Sequence, residues 1–301
     1  MPVVPVMPTL LSLVAAACFG VASVLQHIAA RRESPELSMR AGLLISLARR
    51  PGWLLGNLLD VFGVVCQFVA LERASVALVN PLLVCSLLFA LPLAAFSARR
   101  RILAGEYLSA AAVAAGLAMF MVLERAGPGR PYAGALAWAI MSCVLAALVG
   151  LAVALARGPL SGRSPVLLAT GAGFAWGYAS VVTELAAHLL RHGVLSTLSS
   201  WAPYMMIASG AVGMLLAQSA FQAGELATSL PVLTVIEPLV AIAISKALFG
   251  EGIDLHPYAL AGELAGLAVM SAGVFALARR EVPGGPSKAR SSRVPVRRKC
   301  R

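Results

Sequence analysis

Charged residues are scarce in this chain. Asp, Glu, Lys and Arg make up 12% of its 301 residues, and aromatic residues make up 6%. Hydrophobic residues account for 59%, and the mean hydropathy is +0.86. A soluble domain of this length cannot cover so much apolar surface, so most of that surface must face lipid. The composition therefore excludes a soluble globular protein and predicts an all-α integral membrane protein.

The sequence also lacks the common catalytic and metal-binding motifs. There is no P-loop, HExxH, GxSxG or paired CxxC pattern, so hydrolase, ATPase and structural-zinc functions are unsupported. The five cysteines show no metal-ligand spacing and no readable disulfide framework. We therefore expect no enzymatic activity and no cofactor, and we interpret the cysteines within apolar runs as small buried hydrophobic residues.

The first residues contain no Lys or Arg, which a secretory signal needs, and the apolar run to Ala30 is too long for one. We interpret that run as a retained span. Since about 20 apolar residues cross a bilayer, the sequence predicts nine spans. These are 8–30, 52–72, 75–98, 104–123, 132–156, 165–189, 202–222, 226–249 and 257–278. The segment 38–50 is too short to cross, and we expect it to lie at the membrane interface.

The positive charges predict the orientation. With the C-terminus cytoplasmic and the N-terminus outside, nine spans leave only Arg73, Arg125, Arg130 and Arg191 of the 24 Lys and Arg residues in outer segments. From Arg279 onward the chain contains nine Lys and Arg residues and one acidic residue, Glu281. A disordered basic tail of this kind suits anionic lipid headgroups and not nucleic acid, because no folded basic face accompanies it. We expect a multi-pass protein of the plasma membrane.

The two halves of the chain resemble each other at an offset of 150 residues. The matched glycines and prolines are Gly63 and Gly213, Pro81 and Pro231, and Gly116 and Gly266. Five spans separate the start of one repeat from the start of the next, which reverses the direction of the second. The sequence therefore predicts inverted four-helix repeats at 1–123 and 165–280, a central linking helix within 124–164 and a tail at 281–301.

The span 226–249 has the composition of a transport site. Glu237 lies near its centre, where a carboxylate is costly and therefore usually functional. Pro238 and Pro231 each lack an N–H and crowd the carbonyl four residues earlier, and Pro81 occupies the place of Pro231 in the first half. An acid beside opened backbone carbonyls at mid-membrane depth is how transporters build substrate sites.

Other polar residues within spans extend this candidate site. Asp60 lies near the middle of the second span, with Asn57 on the same helical face and Gln67 two turns later. Glu184 is four residues before His188, so the two side chains can meet, as a pH-sensitive pair or an interfacial ion pair. Each acid has a structural alternative, a protonated side chain hydrogen-bonded between helices.

Uncharged polar and small residues complete the candidates. Gln222 offers an oxygen to a ligand or a hydrogen bond between helices. Gly262 and Gly266 form a GxxxG pattern, and Gly116 is the counterpart of Gly266 in the first half. Small residues at that spacing predict close helix packing and allow a homodimer.

The chain resembles the drug/metabolite transporter superfamily of EamA-like proteins, and most closely its NIPA-type magnesium-transporter branch. The resemblance is carried by AFQAGELATSLPVLTVIEPLVAIAISKALFGE (220–251), with Glu-Pro in mid-span, and by ALERASVALVNPLLVCSLLFALPLA (70–94). It covers nearly all the chain to about residue 280, and WLLGNLLDVFGVVCQFVAL (53–71) points to the magnesium branch. It implies an alternating-access transporter in which Glu237 is the site residue and Glu251 caps the loop that follows the span.

These observations leave three hypotheses. The first is a secondary transporter that moves a small solute or cation through a midplane site, with Mg²⁺ bound by Glu237 and Asp60 if the cargo is divalent. The second is a proton-coupled exporter of a metabolite or amine. With few aromatic residues in the chain, we expect no aromatic cage for a large hydrophobic cation. The third is a membrane scaffold or lipid-interacting protein that transports nothing.

Overall fold

A computed structural model of the chain describes residues 6–71, 73, 79, 82–99, 101, 104–123, 133–158, 160–190, 193–249 and 257–280. Every secondary-structure element in these ranges is helical. The basic tail 281–301, the residues 124–132 and Pro81 lie outside the described residues, so the predictions made for them stay predictions.

Eleven α-helices are described. They are α1 (Val6–Ala30), α2 (Ala41–Leu47), α3 (Pro51–Leu71), α4 (Ser86–Ser97), α5 (Ala104–Leu123), α6 (Ala135–Arg157), α7 (Ser164–Leu190), α8 (Val194–Leu198), α9 (Ala202–Ala223), α10 (Leu226–Phe249) and α11 (Pro257–Arg280). Short 3₁₀ turns at Pro35–Leu37 and Ser161–Arg163 precede α2 and α7.

Six of these helices are long and apolar enough to cross a membrane, namely α1, α3, α6, α7, α9 and α10. Three more of the predicted spans contain shorter apolar stretches, at Ser86–Ser97, Ala104–Phe120 and Leu264–Ala276. Large apolar side chains project outward, and Phe96 and Leu195 each expose 81% of their surface. The prediction of an all-helical membrane protein is confirmed, while the count of nine spans and their orientation stay predictions.

The helices pack around a shared apolar core. α1 packs along α3 and against α4, α7 packs along α9 and α10, and α6 lies against α7. Val24 of α1, Leu87 of α4, Leu117 of α5, Phe221 of α9 and Met270 of α11 belong to one buried cluster. Helices distant in sequence thus share one core, which holds the two halves of the chain together.

Gly116 and Gly266 face each other where α5 packs along α11. A Cβ atom at Gly116 would lie 2.7 Å from the Gly266 carbonyl oxygen, and one at Gly266 would lie 2.8 Å from the Gly116 carbonyl oxygen. Neither site can accept a methyl group unless a backbone moves, because real Cβ atoms do not approach carbonyl oxygens that closely. Gly266 therefore serves a helix contact inside the chain, and Gly262, one turn earlier in α11, is half-buried.

Residues 31–50 pack against one end of the bundle, which we call the loop end. In the segment 38–50, Leu43 and Leu47 are fully buried in the main core cluster, while Ile45 is 60% exposed. Glu33 accepts hydrogen bonds from Ser46 Oγ at 2.5 Å and from Arg50 Nε at 2.7 Å. Only one face of α2 is therefore available to the membrane interface, because the other face completes the protein core.

Candidate functional site

A cavity of about 990 Å³ lies between the two halves of the chain. Its walls come from α1, α3, α4, α5, α7, α9 and α10. Asp60, Gln67 and Glu237 all line it, although Asp60 and Glu237 are 177 positions apart in the sequence. The fold thus brings three of the predicted polar site residues to one place, together with Pro238.

Asp60 is held by a chain of side-chain amides. Gln26 Nε2 donates to Asp60 Oδ2 at 2.6 Å, and Gln218 Nε2 donates to Gln26 Oε1 at 2.9 Å. Gln26 and Gln218 are both buried. The amide chain therefore fixes the orientation of the Asp60 carboxyl group. No local pattern pairs Gln26 with Gln218, since 192 residues separate them.

Glu237 is positioned by close packing of α7 on α10. A Cβ atom at Gly177 would lie 2.7 Å from the Glu237 carbonyl oxygen, so only glycine permits this approach. α10 is helical without interruption through Pro231 and Pro238. Pro238 lines the cavity beside Glu237, whereas Pro231 is buried. Ser180 also lines the cavity, and its hydroxyl donates to the Trp176 carbonyl oxygen at 3.0 Å.

Three aromatic rings line the same cavity, those of Phe19, Trp176 and Phe221. The Trp176 ring packs at Gly213, and its Nε1 donates to the Gly210 carbonyl oxygen at 3.2 Å. The prediction that the chain forms no aromatic cage for a large hydrophobic cation stays a prediction. The fold nevertheless places three of the few rings in the same cavity as the two carboxylates, an arrangement that composition does not reveal.

The other predicted site residues lie elsewhere. Asn57 Nδ2 donates to the Trp53 carbonyl oxygen one turn earlier, and Asn57 is not among the residues that line the cavity. Gln222 Nε2 donates to the carbonyl oxygens of Ser34 at 2.8 Å and Glu33 at 3.2 Å, which places Gln222 at the loop end. Glu184 belongs to α7, but its side chain is outside the described part of the structure.

The electrostatic character of the cavity is acidic. Two carboxylates line it, and the described lining residues include no Lys, Arg or His. Within the described ranges, no group of three or more His, Cys, Asp or Glu side chains is arranged to hold a metal ion. Asp60 and Glu237 could be ligands to a divalent cation only if water or amide oxygens supplied the remaining positions.

The fold and the cavity define a helical membrane protein with an acidic, partly aromatic chamber. The chain is 29% identical over 280 residues to an uncharacterized protein of Corynebacterium glutamicum, an alignment that covers 93% of this chain and 97% of that protein. No family model matches the chain. No solved structure matches it either.

Proposed function

We propose that the protein is a secondary transporter that carries cations through the chamber by alternating access. The observation that carries the proposal is the presence of Asp60 and Glu237 in one cavity that lacks described basic side chains. Uncompensated carboxylates inside a membrane protein are costly, and they persist where they bind a cation or carry protons. Membership of the drug/metabolite transporter superfamily, with a cytoplasmic C-terminus in the plasma membrane, belongs to this proposal.

The chamber suits a small organic cation best. A protonated amine pairs with a carboxylate through its charged end, while its apolar body packs on the rings of Phe19, Trp176 and Phe221. Most of the exposed lining is apolar, which matches an organic body and not a hydrated metal ion. Exchange with protons follows if one carboxylate releases its proton when the amine binds.

Mg²⁺ is a second candidate cargo, because two acids and the Gln67 side chain offer oxygen ligands in the same cavity. Mg²⁺ keeps several of its waters when it binds to proteins, and a cavity of about 990 Å³ has room for a partly hydrated ion. The aromatic rings would contribute nothing to binding such an ion.

Contacts at equivalent positions of the two halves support alternating access. The Phe19 ring packs at Gly63 as the Trp176 ring packs at Gly213. The two glycines are 150 residues apart, which is the offset of the predicted repeats, and the two rings are 157 residues apart. Ser23 and Ser180, also 157 residues apart, both line the chamber. When two halves make the same contacts, each half can adopt the conformation of the other. This exchange closes the chamber on one side of the membrane and opens it on the other side.

The proposal is tested with purified protein in proteoliposomes. Uptake of benzylamine, of benzyltrimethylammonium and of Mg²⁺ is measured against an imposed proton gradient, with an internal pH dye. Asp60→Asn and Glu237→Gln are compared with Glu36→Gln, a matched change at an exposed acid of the loop end. We expect either cavity variant to abolish amine uptake and Glu36→Gln to leave it unchanged.

Other outcomes separate the alternatives. Mg²⁺ uptake that depends on Asp60 and Glu237, without amine uptake, would establish the metal ion as the cargo. No flux of any of these cations through correctly folded native protein would overturn the proposal. The scaffold hypothesis would then stand, and it predicts that removal of residues 282–301 abolishes function while Glu237→Gln has no effect.

A further inference from the structure

The loop end of the bundle is joined by hydrogen bonds between parts of the chain that are distant in sequence. Each bond connects α1 or the segment 31–50 to the last turns of α9 or to Gly224 just after it. The bonds are Gln218 Nε2 to Gln26 Oε1 at 2.9 Å, His27 Nε2 to Gly224 O at 3.1 Å, Met39 N to Ser219 Oγ at 2.9 Å and Gln222 Nε2 to Ser34 O at 2.8 Å. The first and second halves of the chain therefore meet across this end.

One of these contacts holds an unfavourable backbone conformation. Met39 has a φ of 57°, in the left-handed region that a residue with a side chain rarely adopts. Its N–H donates to the hydroxyl of Ser219, which is fully buried. When this bond breaks, the backbone at Met39 is able to leave the left-handed conformation, which offsets part of the cost of separating residues 31–50 from α9.

Buried polar atoms that have no hydrogen-bond partner lie at the same end of the bundle. Among the described side chains they are Trp53 Nε1, Gln218 Oε1, Gln222 Oε1 and Thr228 Oγ1. Trp53 lies in the first turn of α3, the two glutamines lie in the last turns of α9, and Thr228 lies in the first turn of α10. A buried polar atom without a hydrogen bond is unfavourable, and water would satisfy each one if this end opened.

The polar side chains also form a continuous route to the chamber. Gln222 lies at Ser34, Gln218 lies one turn further inside α9, and Gln26 joins Gln218 to Asp60. α2 packs against α9, and its Leu43 and Leu47 are fully buried in the core cluster that also contains Phe221 of α9. The polar residues of the route therefore lie on a helix against which one short apolar segment, α2, is packed.

We infer that residues 31–50 form the gate at the loop end of the chamber, and that the structure holds this gate closed. Opening separates the segment and the end of α1 from α9, breaks the four hydrogen bonds and admits water to the unpartnered atoms. The cation then passes Gln222 and Gln218 on its way to or from Asp60. This inference rests on the proposed transport function, and its first test needs no knowledge of the cargo.

The first test compares two buried serines replaced by cysteine in a full-length chain whose five native cysteines are changed to alanine. Ser219 and Ser12 are both fully buried, and each hydroxyl donates to the carbonyl oxygen four residues earlier. Ser219 lies at the gate, whereas Ser12 is in the first half of α1 and does not line the chamber. A membrane-impermeant maleimide is added from the loop side, and labelling rates of Ser219→Cys and Ser12→Cys are compared.

We expect Ser219→Cys to be labelled about tenfold faster than Ser12→Cys, since only a gate opens its site to water. Addition of Gln222→Ala, which removes the bonds to Glu33 and Ser34, should raise the rate at Ser219→Cys further and leave Ser12→Cys unchanged. Equal slow labelling of both cysteines, with or without Gln222→Ala, would show a static plug and overturn the inference.

The second test locks the gate. The Met39 N–Ser219 Oγ distance of 2.9 Å brings the two Cα atoms within about 7 Å, close to the upper limit for a disulfide. The double variant Met39→Cys with Ser219→Cys should lose benzylamine uptake on oxidation and regain it on reduction, while each single variant is insensitive to oxidant. Recovery on reduction shows that the protein remained folded.

The outcomes of these tests distinguish failure of the gate inference from failure of the transport proposal. Uptake that continues through fully cross-linked protein would overturn the gate and leave the transport proposal standing. Fast labelling of Ser219→Cys in a protein that moves no cation would overturn the transport proposal. It would still show that the loop end opens to water. Loss of uptake only in the oxidised double variant supports both.

Discussion

Gln26 donates a hydrogen bond of 2.6 Å to the carboxylate of Asp60, and it is the only described side chain with a hydrogen bond to that acid. Gln26 in turn accepts from Gln218, which lies on a helix of the second half. The side chain that orients Asp60 is therefore itself held by the second half of the chain. A rearrangement of the halves would change the surroundings of the acid, which is how cation binding can be coupled to a conformational change.

Replacement of Gln26 should weaken cation binding without removing the acid. In Gln26→Leu the Asp60 carboxylate loses its donor, and a hydrogen bond to a charged group contributes about 1.5–3 kcal/mol. We expect the KM for benzylamine uptake in proteoliposomes to rise by about tenfold or more. Asn57→Leu, which removes an amide of the same helix that does not line the chamber and has no described bond to Asp60, is the control. Equal effects of the two variants would contradict the role assigned to Gln26.

Addition of one methyl group at Gly177 should separate α7 from α10. The new Cβ atom would lie 2.7 Å from the Glu237 carbonyl oxygen and 2.8 Å from Val240 Cβ. We expect Gly177→Ala to lower the free energy of unfolding by about 1–3 kcal/mol, the usual cost of overpacking. Gly150→Ala is the matched control, because a Cβ atom there meets nothing within 4 Å and alanine favours the helix. Thermal unfolding in detergent compares the two, and similar melting temperatures would contradict the prediction.

The ion pair between Glu33 and Arg50 at the loop end should make the stability of the protein depend on pH in the acidic range. The hydrogen bond from Ser46 to Glu33, together with Arg50, lowers the pKa of Glu33 below its usual value. A lowered pKa stabilises the folded protein at pH values above the ordinary Glu pKa of about 4.3. That stabilisation is lost as the pH falls through the lowered folded-state pKa.

The measurement is the melting temperature of the native protein and of Glu33→Gln from pH 7 to pH 3. We expect the native protein to be more stable at pH 7, and the difference to shrink as the pH falls below about 4. Glu36→Gln, at an exposed acid of the same segment, should show no such convergence. A constant difference between native protein and Glu33→Gln at every pH would contradict the ion-pair argument.

Trp176 should distinguish an organic cation from a metal ion. Trp176→Leu removes the largest ring of the chamber, and cation–π contacts contribute about 0.5–2 kcal/mol. We expect the KM for benzyltrimethylammonium to rise by severalfold and Mg²⁺ uptake, if present, to stay unchanged. Trp138→Leu is the control, since Trp138 is buried in a separate cluster against Tyr178 and does not line the chamber. An equal effect of both variants on uptake would indicate loss of folding and not of a cation contact.

Local sequence determined much of the architecture. Long apolar runs specify membrane helices because an isolated backbone in lipid must satisfy its own hydrogen bonds. The glycines at 116 and 266 were matched by sequence alone and lie in contact. Asp60 and Glu237 were singled out because a carboxylate in an apolar run is costly, and both line the cavity.

The same reasoning could not place residues whose partners lie in the other half of the chain. Asn57 shares a helical face with Asp60 in sequence terms, yet its amide donates to the backbone one turn earlier. Gln222 has a side chain of the kind that binds ligands, yet its amide donates to two backbone carbonyl oxygens of the loop end. A helical pattern states which residues share a face, but not which neighbouring helix that face meets.

The sequence by itself thus determined that this protein is a membrane-embedded bundle with two costly acids, since hydrophobicity and the cost of buried charge act on each segment alone. Tertiary structure alone decided that the acids share a chamber with three aromatic rings, that Gln26 and Gln218 hold Asp60, and that residues 31–50 cover the loop end. These features arise from contacts between residues far apart in the sequence, such as His27 and Gly224, which are 197 residues apart. Only the packing of the whole bundle specifies such contacts.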